Sequence, residues 1–254
     1  MSSILGRLWA TFLVPAVLFV LWMVTSSNSE NFFFPPLQKI LSAFRDTWMS
    51  NNGAAEIVPS LLRLAAGFFA AFTFALTAGV LLGSSKVARD YTEPVFEFFR
   101  AIPPTVMIPV LLVISGIGDT SKIAVIALGC LWPMLLNTIE GVRSVDSVLK
   151  DTCNVDRIHG IRRLAMLTLP AASPQIVTGM RTGLSIGIIL MVISEMFASR
   201  NGIGFAIIQF QRTFAIPEMW SGILLLGIIG VALSLLMRGF EMLVLHWYEG
   251  VRQQ

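Results

Sequence analysis

The sequence is poor in charge, in cysteine and in histidine. Asp, Glu, Lys and Arg make up 13% of its 254 residues, whereas a soluble domain carries roughly 25%. One cysteine, Cys130, lies in an apolar run and the other, Cys153, in a basic segment, so we expect neither a disulfide nor a metal site. The two histidines, His159 and His246, are too far apart in the sequence to suggest a metal-ligand cluster.

Motifs for catalysis and nucleotide binding are also missing. The patterns GxSxG, HExxH and GxxxxGK[ST] do not occur. We therefore expect no catalytic residues, no enzymatic activity and no cofactor bound by this chain; if ATP and magnesium are used, another chain binds them. The net charge is only +3, and no basic patch is interleaved with aromatics, so nucleic acid is not an expected partner.

What the sequence does contain is long apolar runs. Hydrophobic residues make up 55% of the chain, and the mean hydropathy is +0.77. This composition indicates an integral membrane protein. We predict an all-α fold with six transmembrane helices in a single domain, 1–254, with a core at about 60–244. The predicted spans are approximately 8–28, 62–85, 101–118, 122–140, 175–197 and 219–240.

The first span has a second interpretation. Arg7 precedes an uncharged stretch, as in a signal peptide. The apolar part continues to Val24, which is longer than the usual core of a signal peptide. We therefore favour a membrane span that is retained over one that is cleaved.

The third predicted span is rich in proline. Pro103, Pro104 and Pro109 each remove a backbone donor from a regular helix. Irregular backbone at membrane depth is tolerated only inside a protein or beside a water-filled cavity. We therefore predict a pathway or gate segment formed by Pro104, Thr105, Met107, Ile108 and Pro109. The alternative is a plain helix that begins at Pro103 or Pro104, which leaves Pro109 as its one kink.

The fifth predicted span carries charge and regularly spaced glycine. Only 13 uncharged residues separate Arg181 from Glu195, so we expect both side chains to reach the membrane interfaces, in interfacial or structural roles. Gly179, Gly183 and Gly187 stand four residues apart, which predicts a smooth face for close helix packing and for a dimer contact. The alternative is glycine scattered along an apolar helix.

The most basic segment, Lys150–Pro170, lies between the fourth and fifth spans. Its apolar residues recur at spacings of three and four, which predicts one short amphipathic helix on the cytoplasmic surface, ended by Leu169-Pro170. We expect this helix either to rest on lipid headgroups or to dock into a soluble partner; the alternative is a loop that only fixes the topology. The docking residues would be Asp151, Val155, Arg157, Ile158, Ile161 and Pro170.

The distribution of Lys and Arg predicts the orientation. With six spans and the basic segment inside, 12 of the 18 Lys and Arg residues lie on the cytoplasmic side and six on the outside. This bias favours a topology with both termini in the cytoplasm.

The basic segment resembles the coupling loop of ABC-importer permeases. Asp151, Thr152 and Cys153 stand at the family's Glu-Ala-Ala, Arg157 stands at its glycine, and Leu169-Pro170 matches its Leu-Pro. The chain also resembles the nitrate/sulfonate/taurine type of binding-protein-dependent permease from about Ser60 onward. The matching stretches are SLLRLAAGF (60–68), FRAIPPTVMIPVLL (99–112), GIGDTSK (116–122) and EMFASRNGIG (195–204).

This resemblance implies a function and a set of partners. A permease of this type would sit in the lipid of a bacterial inner membrane as a homodimer, or as a heterodimer with a similar permease. It would bind two cytoplasmic ABC ATPase subunits, which hold ATP and magnesium, and receive its solute from an extracytoplasmic solute-binding protein. Its short coupling helix would transmit closure of the ATPase.

The expected solute is a small anion, such as an aliphatic sulfonate, taurine or nitrate. The alternatives are an importer of the same type for a vitamin or its precursor or for an aromatic acid, and a self-contained secondary carrier. Secondary carriers often hold ionisable groups at the membrane midplane. The predicted spans lack such groups at mid-depth, which argues against a carrier.

Overall fold

The chain is built from helices throughout its described part. The computed structural model describes residues 20–26, 31–197 and 199–252, together with Leu13 and Val17. The α-helices are α1 (20–26), α2 (Leu37–Trp48), α3 (Asn51–Ser84), α4 (Lys86–Ala101), α5 (Met107–Ser115), α6 (Asp119–Arg143), α7 (Ser147–Val155), α8 (Gly160–Arg163), α9 (Leu169–Phe197), α10 (Ile203–Arg212) and α11 (Ile216–Arg252). A 3-10 turn, Pro104–Val106, precedes α5, and a π-helical turn, Leu164–Thr168, joins α8 to α9.

Among the described residues, four helices are long and apolar enough to cross a membrane. They cover Gly53–Ser84, Asp119–Arg143, Gly160–Phe197 and Ile216–Trp247. The second, fourth, fifth and sixth predicted spans fall on these helices. Most of the first predicted span, 8–28, lies outside the described residues, and its described residues, Leu13, Val17 and 20–26, are helical. The count of six spans therefore stays a prediction.

The third predicted span, 101–118, is not one continuous helix. Ile102 and Pro103 are extended, and α5 has only nine residues. The segment 104–115 is bent by 70° from α4, an amphipathic helix. The extended residues, the 3-10 turn and α5 together cover about 26 Å, from the rise per residue of each conformation. That length is close to the roughly 30 Å hydrocarbon thickness of a bilayer. Pro109 lies in the first turn of α5, where a backbone donor has no partner within that helix.

Helix α6 is at the centre of the bundle, between α3 and α9. Glycines allow both close approaches. On α3, Gly67, Gly79 and Gly83 face α6, and a Cβ on any of them would lie under 3.0 Å from α6 atoms. On α9, Gly179 and Gly183 also contact α6. Hydrophobic side chains of the three helices form one buried core around these contacts.

The predicted glycine face is therefore occupied within the chain. A Cβ on Gly179 would lie 2.9–3.1 Å from Asn137, Pro133 and Met134, and one on Gly187 would lie 2.9 Å from Cys130 Sγ. The glycines do let two helices pack closely, as their spacing indicated. Their partner is α6 of the same chain, so this face is not available for a contact between subunits.

The helices define two ends of the bundle. At one end, α3 begins, α6 begins and α9 finishes, and the segment 199–204 lies beside them. At the other end, Gly83 of α3 contacts Val142 of α6, and α7 and α8 connect α6 to α9. We call the first of these the 63 end, after Arg63, and the second the 150 end, after Lys150.

Candidate translocation and coupling sites

A partly buried ionic cluster lies at the 63 end; of its charged members, Asp119 is 67% exposed. Arg63 NH1 is 2.8 Å from Glu195 Oε1, and Arg63 NH2 is 2.7 Å from Asp119 Oδ1. Arg63 is 4% exposed and Glu195 is fully buried. The Ser60 hydroxyl donates to Glu195 at 2.8 Å, and Arg63 also donates to the Asn201 carbonyl at 3.1 Å. We call these five residues the Arg63 cluster; it joins α3, α6 and α9 to the segment 199–204.

Two glycines let the segment that follows α9 pack closely against this cluster. Gly202 has φ +120°, a conformation that L side chains rarely adopt, and a Cβ there would collide with the Glu195 carboxylate. The Gly204 amide donates to Glu195 Oε2 at 3.0 Å, and the Ile203 amide donates to Ser60 Oγ at 2.9 Å. The carboxylate therefore has charged and neutral donors, as a buried charge requires.

Sequence reasoning missed this cluster. Glu195 was expected at a membrane interface, but it is buried because three elements surround it. A usable signal was present: Arg63, Asp119 and Glu195 each border an apolar run at the same end of the predicted bundle. The stretches SLLRLAAGF, GIGDTSK and EMFASRNGIG, which are far apart in the chain, meet at this point through those three residues.

The basic segment at the 150 end differs from the single predicted helix. It contains α7, a turn at 156–159 and the short α8. The helix does not end at Leu169-Pro170, because α8, the π turn and α9 run on as one helical stretch, Gly160–Phe197. Proline inside a helix loses a hydrogen bond and crowds the carbonyl four residues before it. The π turn directly before Leu169 changes that spacing, which lets Pro170 be accommodated.

The turn between α7 and α8 is a Schellman C-cap. The Ile158 amide donates to the Cys153 carbonyl at 2.8 Å, and the Arg157 amide donates to the Asn154 carbonyl at 3.2 Å. Arg157 has φ 54°, in the left-handed region that favours glycine. This is the residue at the glycine position of the coupling-loop pattern, so the glycine-type backbone is present without the glycine.

Apolar side chains of this loop are exposed. We call Ser147–Arg163 the α7–α8 loop. Val155 is 81% exposed and Ile161 is 85% exposed, while Ile158 is half-buried. Asp151 and Arg157 are exposed, and Pro170, just beyond the loop, is half-buried. Two of the three predicted apolar docking residues are thus free to contact a partner, and Ile158 is partly used within the chain.

The predicted gate residues are divided between the surface and the core. Thr105 and Pro109 are exposed, and Pro104 and Met107 are half-buried. Ile108 is 1% exposed and belongs to the main hydrophobic core, so in this conformation it does not face an open path. The residues before the 3-10 turn are anchored on α6, where the rings of Phe99 and Trp132 stack with centroids 6.4 Å apart.

A second ion pair joins α9 to α11. Arg181 NH2 donates to Glu241 Oε2, with side chains 56% and 31% exposed. Arg181 lies between Gly179 and Gly183, which pack on Pro133, Met134 and Cys130 in the middle of α6. Arg181 is therefore deeper than the interface where it was expected. The argument against a carrier from missing mid-span charges does not hold for this residue.

The fold defines a class of protein: a helical membrane protein with several apolar spans, a broken span and an exposed amphipathic loop. The family described as binding-protein-dependent transport system inner membrane component matches residues 71–245. The chain belongs to this family, and it is a multi-pass inner-membrane permease of the ABC-importer class, nitrate/sulfonate/taurine type. It is a transport component rather than an enzyme.

Curated relatives match over most of their length. The chain is 28% identical to the putative aliphatic sulfonates transport permease protein SsuC of Bacillus subtilis, over 94% of this chain and 88% of that protein. It is 31% identical to the nitrate import permease protein NrtB of Synechocystis sp., over 90% of this chain and 86% of NrtB. It is 30% identical to the taurine transport system permease protein TauC of Escherichia coli. That match covers 93% of this chain and 89% of TauC.

A solved structure shares the fold. A chain of the inward-facing MetNI methionine ABC transporter superposes with a TM-score of 0.63 at 21% identity. The match covers 74% of this chain and 94% of the other. At this identity, the likeness shows the common fold alone.

Proposed function

We propose that this chain forms the translocation path of an ATP-driven importer for a small anion, with ATP hydrolysed by separate ATPase subunits that dock on the α7–α8 loop. The observation that carries this proposal is the exposure of Val155 and Ile161. Large apolar side chains on a charged loop at the end of a membrane bundle indicate a protein contact, because buried apolar anchors dominate such interfaces.

The proposal includes the assembly and the topology. Residues 1–254 form a single permease domain with six spans, and a coupling element, now made of α7 and α8, lies between the fourth and fifth. The 150 end and both termini are cytoplasmic, and the Arg63 cluster is on the outer side, where an extracytoplasmic binding protein delivers the solute. Two copies, or this chain and a similar permease, enclose the path, and two ATPase subunits bind below. The names of the matched relatives support an anion of the sulfonate, taurine or nitrate kind.

The test is made with paired variants in cells that express the complete importer. Val155→Asp and Ile161→Asp place a carboxylate on the expected contact, so each should reduce ATPase copurification at least about tenfold and abolish substrate-stimulated hydrolysis in vesicles. Ile158→Asp should also uncouple transport, although its side chain is half-buried. Arg163→Ala should do much less, because rim charges contribute little.

A matched control separates the loop from a general surface effect. Met49→Asp places the same charge on an apolar residue that is 74% exposed at the 63 end, and it should leave ATPase binding unchanged. Normal insertion of Val155→Asp and Ile161→Asp with full copurification and full hydrolysis would show that this loop is not the coupling element.

A further inference from the structure

One face of α9 is polar and exposed although the helix crosses the membrane. Thr178, Arg181, Thr182 and Ser185 are all exposed, and their spacing places them on one side of the helix. We call this side the Arg181 face. The opposite side of the same turns carries Gly179 and Gly183, which contact α6. Helix α9 therefore packs on α6 through its glycine side, and the polar face is not part of the interior of the bundle.

The depth of this face follows from the contacts of its neighbours. Gly179 packs on Pro133 and Met134 of α6. The uncharged stretch of α6 runs from Ile123 to Ile139, so Pro133 lies ten residues after its start and seven before Glu140. At the rise of an α-helix these separations are about 15 Å and about 10 Å. Arg181 is thus well inside the apolar layer.

The hydroxyls on this face do not by themselves need water. Thr178 donates to the Pro174 carbonyl at 2.8 Å, and Thr182 donates to the Thr178 carbonyl at 3.1 Å. Such bonds to the preceding turn are common in membrane helices. A face of these hydroxyls alone is compatible with lipid.

Arg181 is not compatible with lipid. A guanidinium has five N–H donors, and among the described residues Glu241 is its hydrogen-bond partner. More than half of the side chain is exposed. Charged side chains inside a membrane face the bundle interior or a water-filled cavity. Within the described part of the chain nothing covers the Arg181 face, and a guanidinium at this depth needs water or another polar group beside it.

We propose that the Arg181 face lines the water-filled path and that Arg181 is the residue that binds the anion in transit. Glu241 is its counter-ion when no anion is present. A guanidinium binds planar or trigonal oxyanions through paired N–H donors, and Arg181 has donors beyond the one that binds Glu241. This inference rests on the proposed function, since it assigns the substrate class to a residue of the same path.

The test measures local charge through cysteine reactivity and does not require the natural solute. Thr182→Cys and Ser185→Cys are made in a Cys153→Ser background, with the buried Cys130 left in place. Membrane vesicles containing the full importer are treated with anionic sulfonatoethyl or cationic trimethylammonioethyl methanethiosulfonate, with and without nucleotide. Both cysteines should react in at least one state. At low salt, the ratio of the anionic to the cationic rate should be at least about threefold higher than the same ratio for a small free thiol, because exposed charges are weakly screened there. We call this excess the anionic preference.

Substitutions of arginine test whether the preference for the anionic reagent comes from the Arg181 side chain. Arg181→Gln should abolish the anionic preference, and Arg181→Lys should retain it. Arg143→Gln, which removes an exposed arginine at the 150 end, should leave it unchanged. Leu235→Cys, on an exposed apolar side of α11, supplies the rate for a lipid-facing position.

Two results would overturn the inference. One is reactivity at both α9 cysteines no higher than at Leu235→Cys in every state, and the other is an anionic preference that survives Arg181→Gln. ATPase copurification is measured on the same preparations. If the ATPase is retained while either result is found, only the role of the Arg181 face is lost, whereas loss of copurification in the parent protein counts against the proposed function itself.

Discussion

The Arg63 guanidinium donates to the Glu195 carboxylate at 2.8 Å, between α3 and the end of α9, where neither side chain has appreciable contact with solvent. Breaking this pair from the Glu195 side leaves Arg63 with one charged partner, Asp119, whose side chain is 67% exposed, so the buried part of the guanidinium loses its carboxylate. The pair also connects α3 to the segment beyond the end of α9, because the same carboxylate accepts a hydrogen bond from the Gly204 amide.

Glu195→Gln is predicted to destabilise the protein by about 1–3 kcal/mol, the range for leaving a buried donor without its partner, because Arg63 keeps its ion pair with Asp119. The loss should appear as a lower thermal midpoint of the detergent-solubilised permease. The double variant Arg63→Met/Glu195→Gln should lose less than the sum of its single variants, because neither charge is then left alone. Glu140→Gln, in a pair that is 60% and 58% exposed, should change stability by under about 1 kcal/mol. Equal effects of Glu195→Gln and Glu140→Gln would contradict this account.

Gly183→Leu is predicted to disrupt the fold of each subunit. A side chain there meets Met134 at 2.8 Å and the Cys130 carbonyl at 3.3 Å, so overpacking should cost about 1–3 kcal/mol. The control is Gly227→Leu on α11, where a Cβ has no neighbour within 4 Å. Thermal unfolding of both variants checks this. An unchanged midpoint for Gly183→Leu, with a lost dimer, would restore the glycines as a subunit interface.

Arg157→Gly is predicted to stabilise the turn between α7 and α8. A non-glycine residue in the left-handed region carries a strain of about 1 kcal/mol or more, and glycine removes it. Hydrogen exchange of the Ile158 amide, which donates to the Cys153 carbonyl, should slow by about threefold or more. Arg162→Gly, inside α8, should have the opposite effect, because glycine lacks helix propensity. Faster exchange of the Ile158 amide in Arg157→Gly than in the parent protein would show that the backbone at Arg157 is not strained.

Cysteines in the proline-rich segment should differ in reactivity. Thr105→Cys is predicted to react with small water-soluble thiol reagents, because Thr105 is exposed. Ile108→Cys should be protected, because Ile108 is 1% exposed. If the segment gates the path, nucleotide should change the rate at both positions. Rates that are the same in all nucleotide states would favour a fixed structural segment.

The proposed topology is tested with reporter fusions. A reporter after Gln254 should give a cytoplasmic signal, and one inserted near Asn52 should give an extracytoplasmic signal. The expected result follows from the excess of Lys and Arg at the 150 end. A cytoplasmic signal from the Asn52 site would reverse the orientation or change the number of spans.

The sequence indicated some features more completely than others. Uncharged runs were sufficient to locate α3, α6 and α11, because crossing a bilayer requires a minimum apolar length. The same criterion marked residues 101–118 but did not locate the break in their backbone, because it counts apolar length and not conformation. Spacings of three and four continue through the α7–α8 loop, so periodicity did not reveal the break at Arg157. The signal for a left-handed backbone at Arg157 was its match to the glycine of the coupling-loop pattern, since arginine itself does not favour that conformation.

Contacts between distant segments were beyond the reach of pattern reasoning. The glycines of α9 were identified as packing residues, but their spacing does not say whether the partner is α6 or another subunit. Likewise, Arg63 and Glu195 are 132 residues apart, and each alone is compatible with an interfacial position. The exposed polar face of α9 could be identified only once the contacts of its glycine side with α6 were known.

The continuity of α8, the π turn and α9 has a mechanical consequence. From Gly160 to Phe197 the backbone is one rod, about 57 Å long at the rise of an α-helix. Its near end belongs to the exposed loop, its middle carries Arg181, and its far end is tied to α3 through Glu195. If ATPase subunits dock on the α7–α8 loop as proposed, a displacement of the loop would reach Arg181 through this single helical stretch, whose far end is held by the Arg63–Glu195 contact.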